Sequence, residues 1–344
     1  MRYKLLGRSG LRVSELCLGT MTFGTEWNFG VDKPEANKVY DTYLDAGGNF
    51  IDTANLYTEG TSEKFIGEFI QSNRESIVLA TKYSLRMKMG DPNFSGNHRK
   101  NLMQAVDASL KRLNTDYIDL LWLHAWDYMT PVDEVMRALD DLVRQGKVFY
   151  IGVSDTPAWI VSQANTMSEL MGWSRFVALQ IEYSLVQRTV ERELLPMARA
   201  FELAVTPWAI LGAGLLTGKY NKASEDSGPK RMKSDSLRLT DQNLLIAEEV
   251  GKIAKETGKS PAQIAINWVR AQKGLIIPIL GARTKKHLED NLACLDFSLD
   301  EEHLKRLDMI SEVELGFPHD FMKLEHIRNN MYGGTFDLID NHRE

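Results

Sequence analysis

The chain has 344 residues, 43% of them hydrophobic and 26% charged, a composition that excludes disorder, collagen-like repeats and a disulfide-stapled miniprotein. Its 41 basic and 47 acidic residues leave a net charge of −6. That balance favours solubility and argues against nucleic acid or anionic lipid as the main partner.

Residues 1–15 read as a β-hairpin cap, with a Gly7-Arg8-Ser9-Gly10 turn between two short arms. Eight short runs rich in Val, Ile, Leu or Phe follow, at 16–18, 49–52, 77–81, 118–123, 149–153, 177–181, 203–207 and 276–280. Most lack strict alternation, as expected of strands buried on both faces. Between them lie helical patterns. The first, 33–46, opens with Pro34 and closes on Gly47-Gly48; others fall at 61–70, 100–113, 132–145, 158–170 and 190–201. The seventh interval holds a polar loop (221–235) and helices at 242–257 and 261–272, and helices at 285–292 and 300–310 come last.

Repeated strand–helix alternation implies parallel strands with right-handed crossovers. Eight units fit a closed (β/α)8 TIM barrel better than an open sheet, because nothing marks a reversal of strand order. One domain is expected over 1–344, with 311–344 as a C-terminal extension that folds back over the barrel as a loop or short helix. Cys17 and Cys294 sit in apolar runs without CxxC spacing, so both should be free buried thiols. No signal-peptide pattern and no membrane-length apolar window occur, and the expected location is the cytoplasm.

In such a barrel the active site lies at the C-terminal strand ends. Asp52 ends the second strand, Tyr57 follows five residues later, Lys82 ends the third strand and His124 the fourth. A phenol is a poor proton donor at neutral pH unless an ammonium favours its phenolate, and a carboxylate keeps that ammonium charged. Tyr57, Lys82 and Asp52 fit those three roles, while a neutral His124 can donate a hydrogen bond to a carbonyl oxygen. The set suits proton donation to a developing alkoxide, paired with hydride delivery by a cofactor. No metal-binding spacing is present, and the stretch 212–219 is not a phosphate loop because Ala213 and Tyr220 break the pattern. Lys82 as an amine nucleophile in a Schiff-base lyase is the alternative enzyme.

The segments Gly19-Thr20-Met21-Thr22-Phe23-Gly24, Asp52-Thr53-Ala54-Asn55-Leu56-Tyr57, Ala80-Thr81-Lys82, Leu123-His124, Gly214 to Tyr220 and Ile277 to Thr284 resemble aldo-keto reductase signatures, in order, over about residues 3–310. The pair Ser62-Glu63 and the long loop after Lys82 are more similar to the bacterial and fungal aryl-alcohol-dehydrogenase-like branch. The resemblance implies NADPH-dependent reduction of aldehydes or ketones, with Asp52, Tyr57, Lys82 and His124 as the catalytic tetrad. It also implies cofactor contacts. The nicotinamide would stack on Trp208, and its carboxamide would meet Ser154, Asp155 and Gln180. Asp155 stands where the family often has Asn, and it cannot donate to the carboxamide oxygen when ionised. Gly19, Thr20, Met21, Ala209, Leu211, Gly214, Leu215, Lys219 and Gly281 would complete the cofactor bed. Arg283 and Lys285, with Lys286, would meet the adenosine phosphate, favouring NADP over NAD, and Asn291 would reach the adenine. Trp27, Tyr83 and Trp126, beside Tyr57 and His124, would contact a small, possibly aromatic, carbonyl substrate. Met87, Met89 and Tyr128 would join them at the mouth. A cofactor-sensing regulatory subunit, as some relatives form with membrane channels, is the reading from a different class.

Overall fold

The computed structural model describes residues 1–220 and 236–341. The polar loop expected at 221–235 and the last three residues of the expected extension lie outside the described residues. Strands β1 (Tyr3–Leu5) and β2 (Arg12–Ser14) form the antiparallel hairpin, in register Tyr3 to Ser14. It caps the N-terminal end of the barrel. Leu6 and Val13 pack with Cys17, Phe50 and Ile277, and Lys4 donates to the Ile276 carbonyl at 2.7 Å. The turn demands a glycine: at Gly7 φ is +57° and an added Cβ would stand 2.0 Å from the Val177 carbonyl.

Eight parallel strands follow: β3 (Cys17–Gly19), β4 (Phe50–Asp52), β5 (Val78–Tyr83), β6 (Ile118–Leu123), β7 (Val148–Ser154), β8 (Phe176–Glu182), β9 (Ala204–Trp208) and β10 (Ile279–Gly281). From β3 to β9 each pairs with the next in chain order, and β10 pairs with β3. The ring closes at Val205, which donates to Leu275 O and accepts from Ile277 N, both at 2.8 Å. The expected run at 276–280 is therefore divided into a bridge at Ile276 and a short β10. Pro278 lies between them with no N–H to offer, while its carbonyl accepts from Cys17 N at 2.9 Å. This is a (β/α)8 TIM barrel.

Helices α1 (Lys33–Asp45), α2 (Thr61–Phe69), α3 (Arg99–Leu113), α4 (Val132–Arg144) and α5 (Ala158–Met171) cover the strands within two residues of their expected bounds. The pattern at 190–201 is broken, however. A 3-10 turn at Thr189–Glu191 precedes α6 (Leu194–Ala200). Pro196 explains the late start, because its ring would clash with the carbonyl of residue 192 in a longer helix. Helices α7 (Asp241–Thr257), α8 (Pro261–Arg270), α9 (Lys285–Leu292) and α10 (Glu301–Ile310) complete the barrel wall. The extension forms α11 (His319–Lys323), α12 (Glu325–Tyr332) and a last 3-10 turn. No residue from 312 to 341 is buried, and its ties to the barrel include Arg192 to Glu314 O and His319 to Glu193. Among the described residues no helix is long and apolar enough to cross a membrane.

Side-chain alternation divides the core into two layers. Leu79, Leu121, Ile151, Leu179 and Val205 face the helices, whereas Phe50, Val78, Ala80, Leu120, Trp122, Ala178 and Ala204 fill the barrel. Trp122 needs the space left by Gly152, where an added Cβ would stand 2.4 Å from its ring. Gly152→Ala should therefore destabilise the fold by about 1–3 kcal/mol through overpacking, read as a lower urea midpoint at unchanged slope. An unchanged midpoint would show that Trp122 yields freely.

Candidate active site

The barrel-facing line of each strand turns from apolar to polar toward its C-terminal end. Phe50 leads to Asp52; Ala80 to Lys82; Trp122 to His124; Gly152 to Ser154; Ala178 to Gln180; Ala204 and Thr206 to Trp208. A period of two thus delivers these side chains to one floor. Asp52, Lys82, Ser154 and Gln180 are buried, and Tyr57, His124 and Trp208 are part-exposed above them.

Lys82, fully enclosed, donates to Asp52 Oδ2 and, at 2.8 Å, to the Thr53 carbonyl. Gln180 Nε2 donates to the other Asp52 oxygen at 3.0 Å. The ammonium lies 4.7 Å from the centroid of the Tyr57 ring, with the phenol oxygen in hydrogen-bonding reach. Burial pulls the Lys82 pKa down, but Asp52 and Tyr57 outweigh it, and the net shift is upward. Lys82 stays an ammonium with no lone pair for nucleophilic attack. Burial raises the Tyr57 pKa, against the opposing pull of Lys82. The sequence suggested a lowered phenol pKa; desolvation, which only the fold reveals, reverses the sign. His124 meets Tyr57 edge-on, with ring centroids 6.0 Å apart. Burial and the Lys82 charge hold its pKa well below the ordinary value, so the ring is neutral at pH 7, and its buried Nδ1 has no hydrogen-bond partner among the described residues.

Around this floor, Gly19, Thr20 and Met21 lead out of β3, and Asp155 follows β7 in a left-handed conformation (φ 39°). Asp155 faces solvent as a residue, yet its carboxyl is crowded by the rim. Burial pushes it up to about 6, with Trp208 opposing by a hydrogen bond and Glu182 adding to the rise. After β9, Ala209 (φ 52°) and Leu211 enter an irregular turn, Gly212–Thr217, in which Ala213 and Gly214 are left-handed. An added Cβ at Gly214 would meet Lys219 Nζ at 2.9 Å, so the lysine lies directly over this turn. Leu215 is buried beneath it. Past Gly281, burial and the charges of Arg283, Lys219 and Lys286 all depress the His287 pKa, with Asp290 opposing, so each of the three cations lies within electrostatic range of His287 in the first turn of α9. Lys285 is turned partly aside: its ammonium pairs with Glu289 at 3.7 Å. Asn291 is buried and donates to Gly281 O at 3.4 Å.

Of the expected mouth residues, Trp27 packs edge-on against Tyr57 at 6.2 Å and at a tilt against Phe29 at 6.0 Å. Trp126 is part-exposed, and Met89 and Tyr128 are exposed. Tyr83 is not at the opening. It is 1% exposed, faces the helices and donates to the Asn97 carbonyl. One polar clamp escaped the sequence reading. Asn97 and Asp127 exchange backbone-to-side-chain bonds of 2.7 and 2.8 Å, and Asn97 also holds Ala125 O at 2.8 Å. It joins the loops after β5 and β6, and no local spacing announces a pair 30 residues apart. Among the described residues no cluster of His, Cys, Asp or Glu could hold a metal, and both cysteines are free and buried.

The sequence model of the aldo/keto reductase family matches residues 15–312. The chain is 38% identical over 331 residues to the norsolorinic acid reductase of Aspergillus flavus, covering 92% of this chain and 83% of that protein. It is 38% identical over 331 residues to an aryl-alcohol dehydrogenase of Pestalotiopsis microspora, covering 93% and 85%. To the aryl-alcohol dehydrogenase (NADP+) of Phanerodontia chrysosporium it is 38% identical over 329 residues, covering 90% and 86%.

Because His124 is held neutral, the unfolded chain takes up a proton that the fold refuses. Its contribution to stability is complete above the unfolded value of about 6.5 and is lost as pH falls below it. The stability gap between wild type and His124→Gln should accordingly shrink from pH 7 to pH 5 in urea titrations; a constant gap contradicts the neutral assignment.

Proposed function

The chain belongs to the aldo/keto reductase family, and from that membership we propose that Tyr57 protonates the oxygen of an aldehyde or ketone reduced at the barrel mouth. The protein is an NADP-dependent oxidoreductase, and NADPH, when bound, supplies the hydride to the carbonyl carbon. The residues present fit that cofactor. A part-exposed indole, Trp208, stands at a strand end to face the nicotinamide, and Lys219 overlies the left-handed Gly214 turn. Arg283, Lys219 and Lys286 all act on His287 in the first turn of α9, and a helix N-terminus is a favourable surrounding for a phosphate.

Each residue has a separate task. Gly19, Thr20 and Met21 would form the bed, Ser154, Asp155 and Gln180 would hold the carboxamide, and Gly214, Leu215 and Lys219 would cover the pyrophosphate. Ala209, Leu211 and Gly281 would complete the walls; Arg283 and Lys285 would meet the adenosine phosphate, and Asn291 the adenine. Gln180 already gives its N–H to Asp52, which leaves its oxygen to accept from the carboxamide amine.

The phenol of Tyr57 gives its proton to the alkoxide oxygen as negative charge develops there. Lys82 remains an ammonium throughout and stabilises the phenolate left behind. Neutral His124 donates an N–H to the same substrate oxygen and fixes the carbonyl direction. The observation that carries this reading is the enclosed Lys82 ammonium beside the Tyr57 ring. Asp52 keeps Lys82 in its protonated form, which also disfavours a Schiff-base lyase. Trp27 edge-on to the phenol, with the part-exposed Trp126 after β6, favours an aryl carbonyl, in keeping with the names of two relatives.

Tyr57→Phe should bind NADPH as the wild type does, by fluorescence titration, while kcat for reduction falls about 100- to 10,000-fold. Near-wild-type turnover would remove Tyr57 as the acid. Arg283→Ala should weaken NADPH about 10- to 100-fold and leave NADH nearly unchanged. Equal losses for both cofactors would place Arg283 away from the distinguishing phosphate.

A further inference from the structure

We propose that Ser62, at the first turn of α2, is a positioning residue that sets the geometry of Tyr57 and Lys82; the inference rests on the reading of Tyr57 as proton donor. Ser62 is wholly buried, and its hydroxyl touches the ends of two strands at once. It donates to the Thr20 carbonyl at 2.8 Å and lies 2.8 Å from Thr20 Oγ1 and 2.9 Å from Thr53 Oγ1. Thr20 Oγ1 in turn donates to the Asp52 carbonyl at 3.0 Å. One proton per hydroxyl cannot serve all four contacts at once; with the Ser62 proton on the Thr20 carbonyl and the Thr20 proton on the Asp52 carbonyl, the Ser62–Thr53 bond is donated by Thr53. The chain therefore joins the two residues that hold the Lys82 ammonium: Asp52 through its carboxylate and Thr53 through its carbonyl.

The backbone of Ser62 reaches the other partner. Its N–H donates at 3.1 Å to Thr58 Oγ1, and that hydroxyl donates at 2.6 Å to the Phe23 carbonyl. Thr58 directly follows Tyr57. Thr58, Glu59 and Gly60 are consecutive left-handed residues, with φ of 47°, 53° and 91°. Two of them are not glycine, and such a conformation persists only where the surroundings over-determine it. The Ser62–Thr58–Phe23 link supplies part of that constraint exactly one residue from the phenol. The next residue fastens the same turn to β5. Glu63, also wholly buried, accepts from Thr81 Oγ1 at 2.6 Å and from Arg112 Nε at 2.6 Å. Ser62 touches neither substrate nor cofactor in this scheme; it acts through the groups that hold the phenol and the ammonium.

The test uses the full-length enzyme with NADPH and benzaldehyde. Ser62→Ala removes the hydroxyl without adding volume. Its kcat should fall about 10- to 100-fold while NADPH affinity, read by fluorescence titration, stays within about twofold of wild type. The alkaline limb of the kcat–pH profile should move to higher pH, because an ammonium held less closely stabilises the phenolate less. In a Tyr57→Phe background the same substitution should cost little more, since its effect passes through the phenol. A wild-type kcat with an unmoved limb overturns the inference, as does an equal loss in the Tyr57→Phe background. Should Ser62→Ala fail to fold, the near-isosteric Thr53→Val removes only the hydroxyl that supplies Ser62, and it must show the same loss and the same limb shift or the inference falls. Turnover by Tyr57→Phe alone removes the acid assignment together with what rests on it. An inactive Tyr57→Phe beside a wild-type Ser62→Ala removes the role of Ser62 alone.

Discussion

An ammonium group enclosed in a barrel must have a permanent counter-ion, and the floor of this mouth is arranged around that requirement. Lys82 is fully buried, and Asp52 supplies the opposite charge from the neighbouring strand. Breaking such a pair by removing one partner typically costs about 3–5 kcal/mol, so neither residue can be lost without consequence for the fold. The remaining Asp52 oxygen accepts from Gln180, which comes from the opposite side of the eight-stranded ring. Apolar packing of Phe50, Ala80, Trp122 and Ala178 ends at this polar layer. Stability and chemistry therefore draw on the same charge.

That charge also decides how the tyrosine behaves. Two effects oppose one another at Tyr57: burial disfavours the phenolate, and Lys82 favours it. Burial prevails before reaction, so the proton is retained at neutral pH. The ammonium's contribution grows once the proton has left, because it then faces a full negative charge at short range. The same ammonium lowers the His124 pKa, adding to burial, and keeps the imidazole in its neutral form. One buried cation thus sets the protonation state of two neighbours in different ways.

The barrel, and the convergence of Asp52, Lys82 and His124 at its mouth, were legible in the sequence because both follow from periodicity. Short Val/Ile/Leu runs mark strands, and chemistry-bearing residues two positions beyond an apolar barrel residue fall on the barrel floor. Tyr83 shows the same rule from the other side. It follows Lys82 by one position, so parity turns it toward the helices, and a stricter use of alternation excludes it from the mouth. Pro196 likewise carried a readable signal that the helix at 190–201 could not be continuous. The pKa sign at Tyr57 was not legible, since desolvation depends on residues far apart in the chain. Nor were the Asn97–Asp127 clamp and the Ser62 hydroxyl chain, whose partners are joined only by folding. Partners that act through backbone carbonyls, such as Thr53, leave no residue-type signature at all.

The account turns on a phenol that keeps its proton at neutral pH beside a buried ammonium. Ultraviolet difference titration measures this directly, with the tyrosinate absorbance of Tyr57→Phe subtracted from that of the wild type to isolate one ring. The account predicts no Tyr57 ionisation through neutral pH and a transition beyond the ordinary phenol value of about 10. A transition near neutrality would mean that Lys82 outweighs burial before reaction, and would contradict it.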